Sequence, residues 1–455
     1  MLRRLGQRFE RFFRKTTPDP FVLAVALTLV VFALAMILER KTPVEVIRAW
    51  QGDSGFFSLL AFTMQMVLIL VTGHALAATR PVRAAIDALA GLPRTGAQAA
   101  ALVAFVSIGT GLLNWGLGLI VGALTAREVG RSCARRGVRA HYPLLVAAGY
   151  AGMMTWHGGL SGSAPLKMTT EADVRSLLGD ELAARIDPVP FTDSVLGPQN
   201  LVVTGGLLVI VPLLCFFLAP RESDPVEGIE RFAPAAPAPE PEPPPETVPE
   251  RIERSPITML LIAVPLLAAS ILWFFDVGIA ALDPNALNLF FLTAGLLLHG
   301  SLARYAKALG EATSGAAGIV LQFPFYAGIM GVMRATGLAR DFSTWLAGAA
   351  PPELYTTVTF LSAGLVNLFV PSGGGQWAVQ GPIAIEAAER LGLPIEHAVM
   401  AVAYGDQWTN MLQPFWALPL LAITGIKARD ILGYTTLFML VGGVWICGVL
   451  IASSM

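Results

Sequence analysis

Apolar positions run almost unbroken for the length of a membrane crossing at many places along the chain, and polar positions gather between them. A helix needs about 20 mostly apolar residues to cross a hydrocarbon core. On that measure the pattern predicts full crossings over roughly 21–38, 56–78, 143–166, 199–219, 257–275, 286–300, 313–333, 397–423 and 432–451. Two further segments, 97–130 and 353–390, are too long for one crossing and break halfway, at "NWGLG" (114–118) and "PSGGG" (371–375). Each reads as a re-entrant helical hairpin that enters and leaves on one side. The expected fold is an all-α polytopic membrane protein with about nine transmembrane helices and two hairpins.

The two halves echo each other. "AAGYAGMMTWHGGLSGSAPL" (147–166) lies over "AVAYGDQWTNMLQPFWALPL" (401–420) without a gap, and Asn114 and Asn367 fit nearly the same spacing. "TMQM" (63–66) matches "VLQF" (320–323), and "DPFVLAVAL" matches "DPNALNLFF", at slightly larger offsets. Their common order predicts an internal duplication, the usual build of secondary transporters. The expected layout is a first repeat over 1–219, a linker over 220–256, an extra crossing over 257–275, and an inverted second repeat over 276–455. With the N-terminus inside, 22 Lys and Arg fall on cytoplasmic segments and 9 outside, the direction the positive-inside rule requires.

Composition narrows the class. The chain has 455 residues, 55% hydrophobic and 14% charged, where a soluble domain runs nearer a quarter charged. The net charge of −1 comes with no separate basic domain, which argues against a nucleic-acid partner. Cys133, Cys215 and Cys447 are scattered and form no metal or disulfide framework. The basic start precedes an apolar run with no small-residue cleavage site after it, so it reads as a retained first span. Its first 17 residues are expected on the cytoplasmic face, with Phe9, Phe12 and Phe13 dipping into the bilayer and arginines at the headgroups. The linker carries eleven prolines and nine acidic residues, the composition of a semi-extended, disordered tether.

Candidate chemistry sits at the breaks. Irregular backbone at membrane depth is tolerated only where protein or a water-filled cavity covers it. Gly373, Gly374 and Gly375 admit positive φ and close approach to a ligand. The returning half-helix then offers free amide groups to an anion, and Ser372 adds a hydroxyl. The plainer reading is a tight turn packing small residues against neighbours. In "TWHGGLSGSAPL" (155–166), Ser161 and Ser163 offer oxygen ligands or hydroxyl donors, and Trp156 offers a wall for an apolar tail. His157 is either a proton-sensitive anion partner or a structural histidine. Asp406 is the one carboxylate placed deep in a full crossing, a candidate proton carrier or sodium ligand, or else one end of a structural hydrogen bond. Gln407, Thr409, Asn410 and Gln413 add neutral polar groups. Asn114 and Asn367 either cap half-helices or touch substrate. His74, His299 and His397 look ordinary, and Phe323 and Phe325 read as core. No Lys or Arg lies within the breaks, which suits a small monovalent anion.

At these residues the chain resembles the bacterial short-chain fatty acid transporters. The resemblance is carried by "TTPDPF" (16–21), "LLAFTMQMVLILVTGHALA" (59–77), "NWGLGLIVGALTAREV" (114–129) and "TWHGGLSGSAPL" (155–166). It continues through "LQFPFYAGIM" (321–330), "VPSGGGQWAVQGP" (370–382) and "AVAYGDQWTNMLQPFWALPLLAI" (401–423). It implies import of short monocarboxylates such as butyrate or acetoacetate across the inner membrane, driven by an ion gradient. It also implies hairpin tips at the substrate site and a tendency to dimerise. No resident cofactor is expected. The coupling ion is a proton or sodium, the latter held near Ser161, Ser372 and Asn367. The competing readings are a transporter of C4-dicarboxylates or other organic anions, an anion channel, and an intramembrane serine protease built on "GLSG" with Ser161 as nucleophile. That last reading needs His74, His299 or His397 to reach the serine.

Overall fold

A computed structural model describes residues 2–221, 223–232, 244–278, 283–348 and 351–454. Those residues form helices and connecting turns, with no strand among them. The first half holds α1 (Leu2–Thr16), α2 (Pro20–Ile37), α3 (Pro43–Gln51), α4 (Leu60–Ala77), α5 (Arg80–Gly91), α6 (Gly96–Leu113), α7 (Trp115–Arg135), α8 (Tyr142–Tyr150), α9 (Ser163–Leu166), α10 (Glu171–Ala183) and α11 (Pro198–Leu218). After α12 (Val248–Arg254) and α13 (Pro256–Val277) come α14 (Pro284–His299), α15 (Leu302–Thr313), α16 (Ala317–Ala335), α17 (Leu338–Gly348), α18 (Tyr355–Asn367), α19 (Gly373–Arg390), α20 (Ile395–Thr409), α21 (Pro414–Thr424) and α22 (Ala428–Ser453).

Local chemistry sets many of the helix ends. Asp19, Ser255 and Asp283 each cap a helix whose first residue is proline, where the missing N–H costs no hydrogen bond. Thr42 with Glu45 and Thr247 with Glu250 form reciprocal capping boxes. Gly300 and Gly425 close α14 and α21 in the left-handed conformation.

Seven described helices are long and apolar enough to cross a membrane: α2, α4, α6, α11, α13, α16 and α22. The predicted crossings over 143–166 and 397–423 are interrupted, as α8–α9 and α20–α21, and the one over 286–300 is the 16-residue α14. α6 joins the seven although the sequence pattern made it one arm of a hairpin. It breaks from α7 at Asn114 alone, and the two helices pack on each other. In the second interrupted segment, Gln376 and Gln380 of α19 donate to the Ala363 carbonyl and Ser362 Oγ of α18, and both helices rest on α20.

Contacts come in reciprocal pairs across the halves. α2 lies on α16 as α14 lies on α4; α3 meets α16 as α15 meets α4; α21 packs on α7 as α9 packs on α19. The tightest seams are built from small residues. A Cβ on Gly122 would sit 2.1 Å from the Gly149 carbonyl oxygen, so α7 and α8 touch backbone to backbone. Gly405 meets the Phe360 carbonyl of α18 in the same way.

Two expectations need correction. α1 does not offer its aromatic face to lipid as a unit: Phe9 and Phe13 pack on the core while Phe12 is exposed. Gly6 and Glu10 are buried against α22, and Arg14 turns inward to Glu10, Glu227 and Asp430. The linker is not a plain tether at its described ends. Ile229 is buried, the Glu227 carbonyl accepts from Tyr142 N at 2.8 Å, and α12 is a capped helix. Its charges find partners on α1 and its apolar residues a core, which composition alone does not reveal. Its middle, 233–243, lies outside the described residues.

Candidate functional site

The two interrupted crossings lie against each other and hold each other's breaks. After α8 the chain tightens into single turns over Ala151–Met154 and Trp156–Gly158 before α9. That break frees the amides of His157 and Gly158, and both donate to Gln407 Oε1 of α20, at 3.0 and 3.2 Å. The opposite break is a turn over Asn410–Leu412. There Tyr150 of α8 donates its hydroxyl to the Asn410 carbonyl at 3.0 Å, and Asn410 Nδ2 reaches the Met153 carbonyl at 3.4 Å. Buried backbone groups lacking helical partners are costly in a bilayer; here the partners come from the other half of the chain.

The α6–α7 break is fully satisfied. Asn114 accepts the amides of Gly116 and Leu117 on its Oδ1, at 2.9 and 3.1 Å, and Ser161 Oγ accepts that of Trp115 at 3.0 Å. Asn114 and Ser161 are thus a cap and a clasp between tip and broken crossing. Asn367 is likewise inward: its Nδ2 donates to the Asp406 carbonyl, Thr409 Oγ1 and Asn410 Oδ1, at 2.6, 3.0 and 2.9 Å. Gln413 donates to the Asn367 carbonyl. Thr409 closes the set on the Gly364 carbonyl at 2.9 Å. Gln407, Thr409 and Asn410 are therefore woven into the protein interior.

The second tip differs. Leu368–Ser372 makes the turn, and Gly373–Gly375 form the first turn of α19 with none of them at positive φ. The glycines serve close approach instead of unusual backbone. A Cβ on Gly373 would meet Trp156 Cη2 at 2.6 Å and His157 Cε1 at 3.1 Å. One on Gly375 would meet Arg334 Nη2 at 2.2 Å, whereas Gly374 faces open space. Ser372 Oγ caps the helix by accepting Gly375 N at 3.2 Å. The amides of Gly373 and Gly374 have no partner among the described residues.

Those amides border a cavity of about 350 Å³. Pro371, Ser372, Gly373 and Gly374 form one wall and Ser163 another, and Gln65 adds an amide side chain. Phe62, Trp115, Trp156, Phe415 and Trp416 complete it, in edge-to-face and tilted contacts such as Trp115–Trp416 at 5.1 Å and Phe62–Trp416 at 5.9 Å. Of the candidates read from sequence, Trp156, Ser163, Ser372, Gly373 and Gly374 line this space. His157 stands one layer behind, stacked on Trp156 at 4.2 Å and 13°. Its Nδ1 lies 3.4 Å from Asp406 Oδ1, with both side chains almost fully buried.

Sequence reading missed Arg334 and four of the five aromatic walls. Arg334 lies 41 positions before Gly375 on another helix, so no motif links them. Phe323 is core, as expected, and stacks on Phe415 at 4.3 Å. The protease geometry is not assembled: Ser161 accepts from Trp115 N, and His299 pairs with the Ala75 carbonyl.

Known proteins place this site in a family. The family model for short chain fatty acid transporters matches residues 1–452. An Escherichia coli (strain K12) protein provisionally named a short-chain fatty acid transporter is 40% identical over 445 residues, 98% of each chain. A Haemophilus influenzae protein of the same provisional name is 38% identical, over 95% of this chain and 96% of its own. Among solved structures, the Alcanivorax borkumensis YdaH transporter has a TM-score of 0.43 at 17% identity, covering 95% of this chain and 98% of its own. Neisseria gonorrhoeae MtrF, described as illuminating a class of antimetabolite efflux pumps, has a TM-score of 0.41 at 15% identity, covering 98% of this chain and 96% of its own. The chain is a multi-pass membrane protein and belongs to the short-chain fatty acid transporter family.

Proposed function

We propose that the protein imports short-chain monocarboxylates across the bacterial inner membrane by coupling them to a cation gradient, with the N-terminus cytoplasmic. The observation that carries this reading is the contrast between the two tips. At the first, every amide at the start of α7 is engaged by Asn114 or Ser161. At the second, the Gly373 and Gly374 amides open into the cavity at the positive end of an 18-residue helix. Such an end holds a carboxylate through oriented N–H groups and the helix dipole. Ser372 and Ser163 stand beside it as hydroxyl donors, and the unpaired Trp156 Nε1 is close by.

Apart from the Gln65 amide, the rest of the cavity is aromatic or aliphatic, which suits a short alkyl tail and offers a second carboxylate no comparable cradle. A site of about 350 Å³ is at the small end for ligand pockets. The reciprocal contacts between halves support an inverted repeat in which the two halves rock about the shared breaks.

Binding is tested by intrinsic fluorescence, because Trp115, Trp156 and Trp416 all wall the cavity. Butyrate and acetoacetate are expected to change the emission of purified protein saturably, and Trp156→Phe to remove a large part of that change. Succinate is expected to compete poorly. Stronger competition by succinate than by butyrate would overturn the monocarboxylate assignment.

A further inference from the structure

We propose that the coupling ion is a proton, and that it rides on the carboxylate of Asp406, positioned by His157. This rests on the carboxylate-transport reading and names its coupling chemistry. The two side chains come from opposite interrupted crossings, His157 from the turn after α8 and Asp406 from α20. They are 1% and 2% exposed, with His157 Nδ1 3.4 Å from Asp406 Oδ1.

The proton inventory follows from the partners. His157 Nε2 lies 2.9 Å from the Ala164 amide nitrogen, which can only donate. Nε2 is therefore an acceptor, and a neutral ring carries its hydrogen on Nδ1, toward Asp406. Adding a proton to the ring would set two N–H groups against each other at Nε2. His157 Nδ1 and Asp406 Oδ2 both lack a hydrogen-bond partner among the described residues, so Nδ1 faces Asp406 without a formed hydrogen bond and Oδ2 is the free position for a further proton.

With the carboxyl ionised, the buried pair carries one negative charge with no ion pair from Lys or Arg. Uncompensated buried charge is strongly disfavoured. The charged groups around it stand apart. α6 and α18 contain none; those of α7 begin at Arg127, those of α19 at Glu386, and those of α22 are Arg429 and Asp430. On α20 itself, Glu396 and His397 lie at the far end, and Tyr404 donates to Asn200 Oδ1 at 3.1 Å. Tyr150 is committed to the Asn410 carbonyl, and Arg334 reaches Gly375 from α16. A proton on Oδ2 neutralises the pair without recruiting any of them.

The pair is wired to the cavity by contact. Trp156 is cavity wall on one face and stacks on His157 with the other, and Gly373 abuts both rings. The arrangement that closes around a carboxylate is the one that buries Asp406 against His157. Closure thus requires the protonated carboxyl, taken from water on the outer side. Rocking open to the cytoplasm rehydrates it and returns the proton there with the substrate anion.

Two measurements on the full-length protein test this. Calorimetric titration of butyrate in sodium-free buffers of different ionisation heat is expected to show uptake of about one proton per substrate bound. In Asp406→Asn that linked proton should vanish, and in His157→Gln the pH at which linkage appears should shift. Binding that takes up no proton and requires sodium overturns the proposal. Infrared difference spectra read the carboxyl directly: a protonated-acid C=O band should appear as butyrate binds to the parent protein and not in Asp406→Asn. Its absence from the parent overturns the proposal even if butyrate binds. A parent protein that binds no butyrate at all removes the substrate assignment, and with it the coupling that rests on it.

Discussion

Three consecutive glycines at one helix start should respond to alanine in three different ways. At Gly373, the new Cβ would lie 2.6 Å from Trp156 Cη2, so the ring must retreat about 0.8 Å to regain ordinary contact. Trp156 cannot move alone, because it is stacked on the buried His157. Overpacking of that kind costs about 1–3 kcal/mol, against a gain in helix propensity of at most about 1 kcal/mol. Gly373→Ala should therefore lower the unfolding temperature and disturb the pair behind the wall. At Gly374 the Cβ meets nothing within 4 Å. Alanine there should leave the fold as stable or raise it by about 0.4–1 kcal/mol. It projects into the cavity, however, and should displace the substrate from the amides. Losing one hydrogen bond to a charged group, about 1.5–3 kcal/mol, weakens binding roughly 10- to 100-fold. At Gly375 the Cβ would meet the end of the exposed Arg334 side chain and, at 2.8 Å, the capping Ser372 Oγ, so alanine there should weaken the cap but cost less than at Gly373. Thermal unfolding in detergent together with butyrate titration reads all three. If Gly374→Ala is destabilised like Gly373→Ala, or binds butyrate like the parent, the placement of the carboxylate at this tip is wrong.

Other perturbations follow from the same contacts. Asn114→Ala removes the acceptor for two amides of α7 and should cost about 0.5–2 kcal/mol of stability, seen in the unfolding temperature, while the substrate range stays unchanged. Gln407→Leu strips the acceptor from the His157 and Gly158 amides. Gly158 N keeps the Thr155 carbonyl, so one buried amide is left unsatisfied at about 1–3 kcal/mol, a loss equal to or larger than that of Asn114→Ala in the same assay. The docking of α1 should depend on acid. Burial pushes the Glu10 carboxyl upward, but the hydrogen bond and charge of His141, with Tyr434 and Arg14, outweigh it and hold the group below its ordinary 4.5. A carboxylate so lowered stabilises the folded state above the unfolded value and loses that contribution as pH falls through the folded one. Protection of the amides of residues 2–16 relative to intrinsic exchange should be high at neutral pH and fall below about pH 4.5, and Glu10→Gln should lower it at neutral pH and converge with the parent in acid.

The architecture was legible where it rests on local chemistry. Every predicted crossing contains helix, interrupted in 143–166 and 397–423, because long apolar runs, and cap–proline starts such as Asp19–Pro20, announce themselves. Helix also breaks at the asparagine–tryptophan and proline–serine steps marked in the sequence, at Asn114 and just before Gly373. The matching of Tyr150 with Tyr404 in sequence has a structural counterpart, since each hydroxyl reaches across to the other half. What the sequence hid depends on tertiary placement. Nothing in "PSGGG" says that its glycines continue as helix, because that follows from Trp156, His157 and Arg334 crowding two of the three. Asn367, Thr409 and Asn410 have the side chains of a permeation site, yet their donors and acceptors face one another. The linker's composition gives no sign that its first end is held at Glu227 by Arg14 and Tyr142, more than eighty residues away.

The measurement that bears most directly on the account is uptake of labelled butyrate into proteoliposomes, with protein-free vesicles subtracting passive entry of the undissociated acid. An inwardly directed proton gradient is imposed in sodium-free medium and, separately, a sodium gradient at equal pH. The account predicts accumulation above equilibrium under the proton gradient alone, lost in Asp406→Asn. Accumulation under the sodium gradient alone would contradict the proton assignment, and none under either, with protein that is folded and correctly inserted, would contradict coupled short-chain carboxylate transport itself.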